Sequence, residues 1–157
     1  RMVMNFRNNY SRLAASLYEK EETTRAVEVL DKCMSEFPED VVSFSYFSIP
    51  MIDLYYKLGE VEKGDHILAN MIDNRLTEIK YLKEFKKGSG LKQNIAINGQ
   101  VLSSLARVLQ IHKRDGLEYT YTNENGTYYK EKGGTKEIID FNTYRIHTFM
   151  DEYLSIQ

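Results

Sequence analysis

The chain has 157 residues, 42% of them hydrophobic and 28% charged, with a formal net charge of −2. This length and balance suit one compact domain that folds without disulfides, and they exclude a disordered chain. The lack of net positive charge disfavours nucleic acid as a partner, the single cysteine excludes an internal disulfide, and no apolar run has the length of a bilayer span.

From about Asn8 to Lys20 the apolar residues Tyr10, Leu13, Ala14 and Leu17 recur at spacings of three and four, which predicts a one-faced helix. Thr23 or Thr24 is the expected cap of a second helix with the stripe Ala26, Val27, Leu30, Cys33, Met34 and Phe37, and Pro38 stops it. After a connector over Glu39 to Ser45, Ser48 and Pro50 suit the start of a third helix that Gly59 ends. A fourth begins near Val61 and keeps helical spacing to about Phe85, with Lys80, Lys83, Lys86 and Lys87 gathered at its C-terminal end. Gly88, Ser89 and Gly90 then break the chain, and a fifth helix is expected from about Asn94 to Lys113. Between 115 and 134, Tyr119 to Thr122 and Thr127 to Tyr129 flank Asn125-Gly126 and read as a loop or β-hairpin insertion. Thr135 is the expected cap of a last helix carrying Ile138, Ile139, Ile146, Phe149, Met150, Tyr153 and Leu154.

Two stretches superpose at an offset of 38 residues. Tyr10, Leu13, Ala14, Leu17, Ala26, Leu30 and Cys33 match Ser48, Met51, Ile52, Tyr55, Gly64, Leu68 and Met71. A repeated pair of helices marks a stacking solenoid, in which no hairpin buries its apolar face alone. The expected fold is therefore all-α: a single domain over 1–157, with one repeat over about 7–38, a second over about 45–85, and a divergent third hairpin or cap over about 91–157.

The first hairpin resembles the tetratricopeptide repeat, with Tyr10, Leu13, Ala14, Leu17, Ala26, Leu30, Cys33 and Pro38 in that repeat's large, small and closing positions. The second departs from it at Ser48 and Leu76. A narrower resemblance covers roughly the first 85 residues and is carried by Phe6 to Ala14, Val29 to Met34, Tyr46 to Pro50, Tyr55 to Gly59 and Glu62 to Gly64. These are similar to the soluble C-terminal region of bacterial multi-pass membrane proteins whose membrane part is similar to protein O-mannosyltransferases. The resemblance implies an accessory, non-catalytic domain of a larger membrane-anchored, glycosyltransferase-like protein. The chain opens on Arg1 instead of methionine, which fits a piece of something longer. Membrane association would come from upstream segments, with the periplasmic side favoured and the cytoplasm left open.

The candidate binding surface is the inward face of the first helix of each hairpin: Asn8, Ser11, Ala15, Tyr18 and Glu19, then Tyr46, Ile49, Asp53, Tyr56 and Lys57. Aromatic residues mixed with a few polar ones suit an extended protein segment, or the protein's own membrane domain. Lysine and asparagine, which grip a peptide's terminal carboxylate in such repeats, give way here to Ser11 and Ala15. The competing reading is that Tyr18, Tyr46 and Tyr56 pack inside. His66, His112 and His147 form no paired motif, and Cys33 sits in a small interhelical slot, so no metal, cofactor or catalytic residue is expected. Gly88-Ser89-Gly90 lacks the lysine of a phosphate loop, and the lysines from Lys80 to Lys92 read as a solvated helix end. Two alternatives stand beside the interaction module: a substrate-binding part of a glycosyl transfer, and a structural or oligomerisation cap.

Overall fold

The computed structural model describes residues 2–38, 48–85, 90–112 and 118–156. In chain order they form α1 (Met2–Glu19), α2 (Thr23–Glu36), α3 (Ile49–Lys57), α4 (Val61–Phe85), α5 (Gly90–Ile111), β1 (Thr120–Glu124), β2 (Thr127–Lys132), β3 (Thr135–Ile139) and α6 (Phe141–Ile156). The described residues are mostly helical and carry one small antiparallel sheet. They divide into two compact units, Arg1–Ile67 and Leu68–Gln157, with the boundary inside α4.

In the first unit the two helical turns repeat bond for bond. Glu21 lies in the left-handed region at φ 62°, while the Glu22 and Glu21 amides donate to the Leu17 and Tyr18 carbonyls. Thirty-eight residues on, Gly59 takes φ 80°, and the Glu60 and Gly59 amides donate to Tyr55 and Tyr56. Both are Schellman closures, which satisfy the last carbonyls of a helix through one left-handed residue. The bonds on either side match too: Lys20 to Ser16 and Leu58 to Leu54, then Ala26 to Glu22 and Gly64 to Glu60. The 38-residue offset is thus written in the backbone as well as in side-chain size.

α1 begins at Met2, a turn and a half ahead of the expected Asn8. The added length is held by contacts: the Phe6 ring stacks on Phe37 at 5.9 Å, and buried Arg7 donates to the Phe37 carbonyl at 2.5 Å. α2 takes Glu22 as its N-cap with no side-chain hydrogen bond, so Thr23 and Thr24 lie in its first turn and do not cap it. It ends at Glu36, because the residue before a proline is driven out of the helical region and Phe37 sits at φ −127°. α1 packs along α2, and α3 touches both. α3 is consequently buried around much of its circumference, at Met51, Ile52, Leu54, Tyr55 and Tyr56. The connector over 39–47 lies outside the described residues.

In the second unit, the buried face of α5 carries Asn98, Val101, Leu102, Leu105, Ala106, Val108 and Leu109. The insertion is larger than expected. Residues Thr135–Ile139, predicted as the start of the last helix, form β3, so the sheet has the order β1-β2-β3. The cause is the turn before it. Gly133 and Gly134 both take positive φ (59° and 83°), as Asn125 and Gly126 do (52° and 86°). Two consecutive left-handed residues make the two-residue hairpin turn whose twist matches paired strands. Thr122, Tyr129 and Ile138 lie in register across the three strands. The last helix starts at Phe141 instead, where the Asp140 carboxylate accepts the Thr143 amide at 2.7 Å and caps it. One sheet face meets α6 through aromatic rings, Tyr128 against Phe141 and Tyr144 and Tyr121 against His147. Arg145 of α6 pairs with Asp73 of α4.

Candidate functional site

The described residues of the first unit form several open grooves, two of which carry polar groups that bear on binding. The first lies between α1 and α3, with a volume of about 230 Å³. α1 contributes Asn8, Ser11, Arg12 and Ala15; α3 contributes Pro50, Asp53, Leu54 and Lys57. Each set follows the i, i+3, i+4, i+7 spacing that brings side chains to one helical face. Ala15, Pro50 and Leu54 give the groove its apolar surface. Lys57 pairs with Asp53 one turn earlier at 3.0 Å, and its ammonium lies 5.9 Å from the Tyr18 ring centre. Two polar groups are left over. Ser11 is 3% exposed, and its Oγ has no hydrogen-bond partner among the described residues. Arg12 is exposed and makes no ion pair or hydrogen bond among them.

Of the face expected from sequence, Asn8, Ser11, Ala15, Asp53 and Lys57 converge on this groove. Tyr18 stands beside it beneath Lys57. Glu19 is exposed and Ile49 half-buried, and neither lines it. Tyr46 lies outside the described residues. Tyr56 corrects the expectation: it is 7% exposed, its hydroxyl donates to the Asp65 carboxylate at 2.6 Å, and its ring lies where a Cβ on Gly64 would be 2.7 Å away. It packs at the α3/α4 crossing, which is the structural role weighed against recognition. Sequence reasoning missed Arg12, Pro50 and Leu54. Arg12 stands four residues after Asn8 and Pro50 three before Asp53, so helical spacing from the residues already chosen reaches both.

The second groove, about 470 Å³, runs between α2 and the first turns of α4. Met34, Tyr55 and Ile67 line it, and His66 is exposed at its rim. Its polar centre is closed on itself. Asp31 accepts the Tyr55 hydroxyl through Oδ1 and the Lys63 ammonium through Oδ2, both at 2.8 Å. Burial, followed by the hydrogen bond to Asp31, pushes the Tyr55 phenol well above its ordinary range. The bond to Asp31 also raises the Lys63 ammonium.

Cys33 is fully buried, and burial pushes its thiol up to about 11, so it is protonated at neutral pH. Among the described residues no three His, Cys, Asp or Glu side chains group as metal ligands, and no helix is long and apolar enough to cross a membrane. Comparisons with protein-family models, curated proteins and solved structures returned no match.

Proposed function

We propose that the first unit is a tetratricopeptide-like repeat module that holds a segment of a partner protein in the groove between α1 and α3. The observation that carries this reading is the asymmetry between the grooves: Asp31, Tyr55 and Lys63 pair with one another in the second, whereas Ser11 and Arg12 have no partner among the described residues in the first. The matching helix closures at Glu21 and Gly59 support a genuine repeat of the hairpin. The module is read as non-catalytic, since Cys33 and Tyr55 are buried and held in their protonated forms. The sequence resemblance extends the proposal to context: the module would serve a larger membrane-anchored, glycosyltransferase-like protein, and the bound segment would belong to that protein or to one that associates with it.

Selection of a displayed peptide library on the immobilised chain tests the reading. Enriched peptides are expected to lose binding to Ala15→Trp, which fills the first groove, and to keep it with Ser35→Trp, which obstructs the second. The reverse sensitivity would move the site to α2 and α4 and overturn the proposal.

A further inference from the structure

Building on that reading, we infer that the α1/α3 groove selects a segment carrying an acidic side chain, with Arg12 receiving its carboxylate and Ser11 supplying a second hydrogen bond. Charge is the first ground. Among the described residues of the groove, Arg12 and Lys57 face a single carboxylate, Asp53, and Lys57 pairs with it at 3.0 Å. Arg12 is therefore the uncompensated charge among the described residues of the groove. A guanidinium binds carboxylates through two parallel N–H donors, and such charge-assisted bonds are about twice as strong as neutral ones.

The second ground is independent of charge. A buried hydroxyl normally finds an acceptor, on a helix often the carbonyl four residues back. Ser11 Oγ has none among the described residues, although the residue is 3% exposed and lines the groove wall. Its hydroxyl hydrogen turns freely about the Cβ–Oγ bond and can be aimed at an incoming acceptor. Ser11 and Arg12 line the same groove, the hydroxyl buried in its wall and the guanidinium exposed at its edge. Alanine at this position would be the better structural choice, because it removes an unsatisfied polar group without changing the packing. Asn8, one turn before Arg12, adds an amide that can pair with the backbone of an extended segment.

The experiment uses the full chain and short peptide pools, acetylated and amidated so that side chains offer the only carboxylates. Each pool fixes Glu, Gln, Lys or phosphoserine at one position, and binding is read by fluorescence anisotropy at two salt concentrations. Glu pools are expected to outbind Gln pools by about tenfold, with the preference weakening in salt. Arg12→Gln is expected to erase that preference while the peptide's residual binding survives. Ser11→Ala should weaken Glu-pool binding while the melting temperature holds or rises; a merely structural serine would raise the melting temperature and leave binding alone. Equal binding of Glu and Gln pools, or a preference that persists in Arg12→Gln, overturns the inference and leaves the groove reading standing. Dominance of phosphoserine pools, or binding only by peptides with a free C-terminal carboxylate, also overturns it. Failure of every pool to bind, with Ala15→Trp indistinguishable from the parent, brings down the groove reading itself.

Discussion

The α2/α4 groove and the α1/α3 groove are made by the same two helical hairpins but treat their polar side chains in opposite ways. In the larger one a single carboxylate, Asp31, answers both Tyr55 and Lys63. In the smaller one Lys57 and Asp53 answer each other, leaving a guanidinium and a hydroxyl with no partner among the described residues. Size alone favours the larger groove, whereas the unsatisfied polar groups favour the smaller one. A polar group that already has its partner gains less from a new one than a buried unsatisfied group does.

Four substitutions break or sharpen this contrast. Gly64→Val should have the largest effect, because the Tyr56 ring stands 2.7 Å from the position of a Cβ and its hydroxyl is tied to Asp65. A loss of about 2 kcal/mol by urea unfolding is expected, the usual scale of overpacking. It asks whether Tyr56 can be driven from its crossing toward the groove where sequence placed it. Asp31→Ala follows, leaving the buried Tyr55 hydroxyl without its acceptor, at a cost of about 1–2 kcal/mol.

Tyr55→Phe tests the same network through pH. Below the ordinary phenol value of 10.0, folded and unfolded chains both keep the proton; above it the unfolded chain releases it while the fold retains it, so stability falls as pH rises. Lys63, raised above 10.5, acts with the same sign. Thermal melts from pH 9 to 11 should show a shallower decline in the variant than in the parent, and equal slopes would place the alkaline sensitivity elsewhere. Ser11→Ala should be the mildest and of opposite sign, with stability unchanged or raised by up to about 1 kcal/mol. A clear loss would mean that the hydroxyl is in fact satisfied in solution.

Much of this was legible from residue spacing. The hairpin over α1 and α2, the stop at Pro38, the turn at Gly59 and the full extent of α4 all follow from periodicity and punctuation, because those signals act locally. Failures came where a local signal had two readings. Thr135 can cap a helix, but it can equally open a strand after Gly133-Gly134, and strand pairing with β2 decided between them. Tyr55 and Tyr56 are adjacent on a helix enclosed on several sides, so spacing could not say which neighbour each would meet. That Ser11 would be buried with no partner among the described residues leaves no trace in composition at all. Five of the residues expected on one face, Asn8, Ser11, Ala15, Asp53 and Lys57, do line a common groove, because the helix facing rule holds for α1 and α3 alike.

The hairpin of α1 and α2 is closed by left-handed Glu21 at its turn and tied at its open end by Arg7 on the Phe37 carbonyl thirty residues downstream, beside the Tyr10–Glu36 hydrogen bond. The exit path of the chain into Pro38 is thereby latched by a side chain near the opposite end of the first helix. A cut that takes Phe6 and Arg7 removes both the ring stacked on Phe37 and the donor on its carbonyl, and so loosens the end of α2.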